Sequence, residues 1–563
     1  MNQLLKSQFT NRGLRGSHSW RQVSAVVLLA FAAATAPIAR ASMIDDEFEQ
    51  RSPRAQQPRT SAPPAGAKPD LAKLAEQSLA AFSKGDYANA ERLLREQIAL
   101  DDRNFVPHYN LACALALQNM PRLAVDSLIN AVQRGFVDLK QLKADPSLNP
   151  IRDTPEFAAL ISNWPTVLER HRDATAALAE KNFSHTATAR DELLRLSFVS
   201  AFDERSFEQA RAEISRIAQW GAHTVFPEIL DPELAKNDPW VVVVLPNRKD
   251  FLSWIVAQFG PGAITSTNSI GGSYDHDAKR LVSQDLGSSL RHEFFHVLHW
   301  RDMTRRGQVH PIWIQEGLCS LVEDYDVAPA PKNEASTDQR GDPSTNPRSG
   351  TPSDTVPPGL VPATSWRTNI AKRLEKNNLL MPIEKLCGLS RGQFMMGRPL
   401  AMYAQARSLF LYLDQKKKLG EWYAAYCDGF EQDPTGVEAL KLVLAMDMLA
   451  LNKDYRAWVR ALPAVSEEIL PGKASVGLEI DAGSGEGPVV VSINPKAQIT
   501  GEQGKSRRAI LAGDVITAIN NRPTREIAEL VRVLGEFEPG QSVELSYRRG
   551  AKHGSAMIVL IAK

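Results

Sequence analysis

Apolar positions recur at helical spacing from Pro69 to about residue 165, and the pattern repeats. Ala80, Ala90 and Leu94 are followed 34 residues later by Ala114, Ala124 and Leu128. Gly85-Asp86-Tyr87 and Asn119-Met120-Pro121 occupy the same turn of each unit. Small residues where helices cross, at a fixed period, predict stacked helical hairpins over 70–165, with Phe136–Leu160 a degenerate third unit or a cap. Residues 166–225 read as further amphipathic helices, a connector. Then the period changes. Trp240-Val241-Val242-Val243-Val244-Leu245 is a buried-strand run, followed by a helical Phe251–Phe259. Ile264–Gln284 predicts a hairpin around Gly271-Gly272 with a second arm near Leu281-Val282-Ser283. One helix is expected after Gly287, another around Glu316, and a helical run from Trp366 to about Leu462. Beyond Pro463 the chain reads as a compact β-rich module.

Two stretches break this patterning. Residues 42–69 carry five prolines among Arg, Gln, Ser and Ala, and 327–365 carry eight among Ser, Thr, Asp and Asn. Neither buries enough apolar surface to offset its ordering entropy, so the first is a disordered linker and the second a disordered insertion. The first 41 residues read as a signal peptide. Lys6, Arg12, Arg15 and Arg21 precede the 14-residue apolar run Val23–Ala36, and Ala39-Arg40-Ala41 supplies a small-x-small cleavage pattern. An exported protein, periplasmic or extracellular, is expected, with an uncleaved membrane anchor as the alternative. At 563 residues the chain exceeds what one core supports, so several domains are expected. A formal charge of +1 gives no field that would steer it to nucleic acid. Four scattered cysteines exclude a disulfide scaffold or a Cys-based zinc module.

The chemistry centres on His292-Glu293-Phe294-Phe295-His296. On a helix, positions i and i+4 share a face, so both imidazoles reach one metal ion, while Glu293 sits about 100° around. A catalytic zinc site takes three protein ligands and keeps one open position. Glu316 lies twenty residues after His296 in Trp313-Ile314-Gln315-Glu316-Gly317-Leu318, far enough for a returning helix to bring its carboxylate under the first.

This pair of motifs closely resembles the gluzincin (peptidase MA-like) zinc metallopeptidases, over roughly 226–460. The resemblance implies an α+β peptidase domain at 226–462, with His292, His296 and Glu316 as Zn²⁺ ligands. It implies Glu293 as the general base toward water, and Tyr403 as a donor to the oxyanion. The chain also departs from its relatives. Ser320 stands where thermolysin-like enzymes place an Asp that orients a ligand His, so that partner is unassigned. The GxMEN run of the related aminopeptidases is absent, and Ser269–Tyr274 occupies its place, which favours endopeptidase action. Arg407, one turn after Tyr403, is either a further donor or an ion-pair partner. His299 and His310 read as packing residues more than ligands.

The period of 34 resembles tetratricopeptide repeats, which present a concave surface to partner segments. Residues 463–563 resemble a bacterial protease-type PDZ domain. Val476-Gly477-Leu478-Glu479-Ile480 stands at its peptide-carboxylate loop, Leu511–Pro523 at its strand and hairpin, and Arg525–Phe537 at its groove helix. The expected architecture is multidomain, and the expected function is an exported zinc endopeptidase that captures protein or peptide substrates, or partner proteins, through the two modules. The alternative is a non-catalytic adaptor on an inactive peptidase scaffold. Against it, a degenerate scaffold has no reason to keep Glu293.

Overall fold

A computed structural model describes residues 71–182, 187–231, 238–259, 271–276, 279–327, 359–501 and 510–563. The expected leader, its cleavage pattern, the linker and most of the insertion lie outside these residues. The chain is a multidomain α+β protein and divides into two units, residues 1–167 with 254–269, and residues 168–253 with 270–563.

The described part of the first unit is helical: α1 (Leu71–Ser83), α2 (Tyr87–Leu100), α3 (Phe105–Leu117), α4 (Pro121–Gln133), α5 (Leu139–Ala144), α6 (Pro155–Ser162) and the start of α7 (Trp164–Asn182). Asp86 and Asn104 cap α2 and α3 by accepting backbone N–H bonds, and Pro121 opens α4 where its missing donor costs nothing. Ala90, Ala114, Ala124, Leu94 and Leu128 of the 34-residue pattern are fully buried. Ala80 is exposed. Residues 136–160 form short helical turns in place of a third full hairpin.

In the second unit, residues 187–200 are not helical, as the sequence pattern suggested, but a hairpin of β1 (Ala187–Asp191) and β2 (Leu196–Ser200). Helix α8 (Glu204–Thr224) leads to β3 (Trp240–Val244) and the start of α9 (Arg248–Phe259), whose residues from Trp254 belong to the first unit, and β4 (Gly272–Asp275) and β5 (Arg280–Ser283) follow. The sheet order is β1-β2-β3-β5-β4, with β2, β3 and β5 parallel and β4 an antiparallel edge. Every residue of β3 is buried, which is why its run is continuously apolar. Strand β4 ends at Asp275 and β5 begins at Arg280, with Gly272 opening β4 and not lying between the two strands.

Against this sheet lies α10 (Ser288–Arg306), and α11 (Ile312–Leu321) packs on α10. The ends of the expected insertion are ordered as the antiparallel pair β6 (Tyr325–Val327) and β7 (Leu360–Pro362). Helices α12 (Trp366–Lys376), α13 (Ile383–Cys387), α14 (Arg391–Met396), α15 (Pro399–Gln415), α16 (Leu419–Asp428), α17 (Val437–Leu444) and α18 (Met448–Ala461) follow. One apolar core runs from Leu194 to Val459 through these elements.

The C-terminal module has its own core. It comprises β8 (Ala474–Ser475), β9 (Leu478–Ser484), β10 (Gly487–Ile493), β11 (Gln498–Gly501), β12 (Val515–Ile519), β13 (Arg522–Pro523), α19 (Ile527–Leu534), β14 (Ser542–Arg549), β15 (Lys552–Val559) and β16 (Ile561–Ala562). Its main sheet runs β11-β15-β14-β12-β10-β9, so β9 is an edge strand. Helix α19 is shorter than the expected Arg525–Phe537. Among the described residues no helix is long and apolar enough to cross a membrane.

Candidate metal centre

Helix α10 begins at Gly287 and ends on Gly307, whose φ of 69° is the left-handed C-cap, with Arg305 and Arg306 complementing the dipole of its last turn. All ten positions from Leu290 to His299 are buried, so polar side chains on this stretch must find partners inside the protein. Helix α11 starts after Pro311 and returns alongside. Gly317 lets it approach α15 closely: a Cβ there would lie 2.6 Å from the Phe410 ring.

These two helices bring His292, His296 and Glu316 together, with one ligand atom from each lying within 4.8 Å of the others. Glu316 Oε2 is 3.2 Å from His292 Nε2 and 3.4 Å from His296 Nε2, and the two Nε2 atoms are 3.1 Å apart. All three residues are buried. Lone-pair atoms crowded this closely repel unless protons or a cation lie among them. Two imidazole nitrogens and a carboxylate are a donor set that suits zinc. Burial works against ionising Glu316, but the adjacent His296 and His292 hold its carboxyl well below the usual range. Burial alone would also keep His292 neutral, yet its bonds to Glu316 and Glu323 raise it to about 10.

Glu323 is the residue the sequence left unassigned. Its Oε1 lies 2.8 Å from His292 Nδ1, and Arg367 grips the same carboxylate with bonds of 2.5 and 2.9 Å. Although burial opposes its charge, Arg367 and His292 hold Glu323 down to about 2. A carboxylate on Nδ1 fixes the tautomer that presents Nε2 to a ligand. The only sequence signal was a spacing of seven from Glu316.

Glu293 is buried beside this cluster, against the edge strand β4. A Cβ on Gly272 would come within 2.4 Å of Glu293 Cγ, so the strand runs this close only because the residue is glycine. The Tyr274 backbone N–H bonds the Glu293 carboxylate. Burial pushes Glu293 up to about 8; the His292 charge opposes this, and Glu316 and Glu323 reinforce it. The Tyr274 ring stacks on His296, 4.3 Å between centroids and 13° from parallel.

Tyr403 on α15 is drawn to the same place. Its ring centroid is 6.3 Å from that of His292 and lies 5.3 Å from the Arg367 guanidinium. Its hydroxyl is 3.8 Å from Met395 Sδ, and burial together with the Glu316 charge raises its pKa. Arg407 has another task. It is fully buried and donates to the carbonyls of Ser320, Asp324 and Ala363, tying α11 and β7 to α15. His299 and His310 pair with each other at 2.8 Å and stand outside the ligand cluster, with His299 stacked on Phe226. Val476, Gly477, Leu478, Glu479 and Ile480 belong to the C-terminal module, the first two at the β8–β9 junction and the rest on β9. All four cysteines are buried and unpaired with one another.

No protein-family model and no curated protein matches the chain. Among solved structures it is similar to an aminopeptidase N family protein from Idiomarina loihiensis, with 12% identity over 67% of this chain and 67% of that one and a TM-score of 0.24. A likeness of that size assigns no function, so the functional reading rests on the site itself.

Proposed function

We propose that this chain is a gluzincin-like zinc metallopeptidase, in which His292, His296 and Glu316 hold the metal and Glu293 is the general base. The observation that carries this reading is the convergence of those three ligand atoms within 4.8 Å beside a buried carboxylate. Bound zinc would supply a Lewis acid and bring the pKa of water toward about 7. Glu323 orients His292 by accepting from Nδ1. Glu293, with its proton affinity raised by burial, takes the proton from attacking water and delivers it to the leaving amine. The Tyr403 hydroxyl, held neutral by burial and Glu316, donates to the carbonyl oxygen as charge develops there.

The substrate in this reading is an extended peptide. Among the described residues, strand β4 pairs with β5 on one side and runs along α10, so a peptide can add to its other edge. That position, with Tyr274 stacked over His296 in the stretch where an amine-binding motif would stand, supports endopeptidase action. The remaining proposals are tetratricopeptide-like repeats at 70–165, a PDZ-like module at 463–563 and export through a leader at 1–41. The helical modules and the β9 edge then serve to capture substrate or partner proteins. Elemental analysis of the purified protein, with cleavage of a peptide library, tests the function. Stoichiometric zinc with internal cleavage supports it, and metal-free protein without turnover leaves the adaptor.

A further inference from the structure

The C-terminal module meets the rest of its unit through ion pairs at its rim and through buried side chains. It reaches the helix that carries His292 through buried charge. Glu529, on α19, bonds Arg291 Nη2 at 2.7 Å; Arg291 Nη1 lies 3.2 Å from Glu213 on α8; and Arg525 Nη1 lies 2.5 Å from the other oxygen of Glu213. The Arg525 backbone N–H closes the ring by donating to Glu529 at 2.8 Å. These four side chains are between 3% and 9% exposed, and their charges cancel. Exposed ion pairs contribute little, whereas desolvating four charges demands this completeness of pairing.

The network ends at the metal centre. Arg291 immediately precedes His292, and its Nη2 and Nε also donate to the backbone carbonyl of Glu323 at 2.6 and 3.2 Å. Glu323 is the residue whose carboxylate holds His292 Nδ1. A second contact from the module acts on the same helix. Gly287, at the N-cap of α10, offers no side-chain cap, and Glu526 accepts from the Ser288 backbone N–H at 3.0 Å and from its hydroxyl. A carboxyl oxygen of the module thus caps the first turn from outside. Seating is tight at Gly485, whose N–H donates to Pro246 O and whose carbonyl accepts from the Leu286 N–H. A Cβ on Gly485 would lie 2.4 Å from Gln284 O and 2.5 Å from Asp285 Cα.

We propose that the C-terminal module is a working part of the metal centre: Glu529, through Arg291 and the Glu323 carbonyl, is a positioning residue for the His292 imidazole. The inference rests on the metal reading above. It makes the module more than a tethered capture device, because lifting it from its seat removes a partner from Arg291 and the Ser288 cap from α10, and so loosens the ligand set.

The test uses the full chain and Zn²⁺ titrated against a chromophoric chelator, with the visible spectrum of the Co²⁺-loaded protein as a report on ligand geometry. Glu529→Gln should weaken zinc about tenfold, the lower end of what partners of metal ligands contribute, and alter the cobalt spectrum. Gly485→Ala, which unseats the module without touching the charge network, should do the same. Arg532→Ala removes an ion pair to Asp326 and a bond to the Tyr325 carbonyl, neither made to Arg291 or Glu323, and should leave both readouts at wild type. If Glu529→Gln fails to fold by circular dichroism, Gly485→Ala decides. Wild-type affinity and spectrum in the folded variants would overturn the inference, as would an equal loss in Arg532→Ala. A wild type that takes up no zinc is a distinct result, and it overturns the metal reading itself.

Discussion

Glu323 Oε1 lies 2.8 Å from His292 Nδ1, and Arg367 holds both oxygens of that carboxylate. The bond leaves Nε2 as the free nitrogen of His292 on the side where Glu316 and His296 converge. Glu323→Gln keeps the shape but removes the charge that Arg367 and His292 share. Zinc affinity should fall about 10- to 100-fold, measured by chelator competition, with the helical circular dichroism unchanged.

Glu316→Gln replaces the proposed carboxylate ligand by a neutral amide. Metal content and turnover should fall together, as they should in His296→Ala. Elemental analysis of the purified variants checks this, and full zinc occupancy in both would remove these residues from the ligand set.

Gly272→Ala places a methyl 2.4 Å from Glu293 Cγ while leaving the three ligand residues intact. The Glu293 side chain, the proposed general base, must move. Turnover should drop by about 10²-fold at unchanged zinc content, the cost of a misplacement near 1 Å.

How much of this was legible in the sequence follows from the range over which each feature is encoded. His292, Glu293 and His296 lie on adjacent turns of one helix, so their spacing alone puts them near one another, and Glu316 needs only one return of the chain. Glu323 stands past the end of α11, where no helical period applies, and its partner Arg367 lies beyond a long insertion. The β1–β2 hairpin was missed because Leu196-Ser197-Phe198-Val199-Ser200 is too short to show a period, and its burial comes from parallel pairing with β3, a distant contact. Arg407 read as a possible donor because its helical spacing from Tyr403 is right. Its real partners are three carbonyls from separate segments. The buried charge ring draws on Glu213, Arg291, Arg525 and Glu529, which nothing local connects.

Glu526 gives a pH signature. Burial and the nearby Asp285 carboxylate raise it to about 8, against 4.5 for an ordinary glutamate. The folded chain therefore holds a proton that the unfolded chain releases. The stability this group contributes is fully present below about pH 4.5 and is lost as pH rises toward 8. Thermal melts across that window should show wild type losing stability relative to Glu526→Gln, which cannot titrate. Parallel curves would contradict the assignment.

The most direct measurement is turnover and zinc content of Glu293→Gln beside wild type, on one substrate that the wild type cleaves. Glu293 is buried next to the ligand cluster but belongs to none of its three positions, so the variant should keep its zinc. Its amide accepts no proton, so hydrolysis should fall about 10²- to 10⁴-fold. A Glu293→Gln protein that hydrolyses at the wild-type rate would contradict the account.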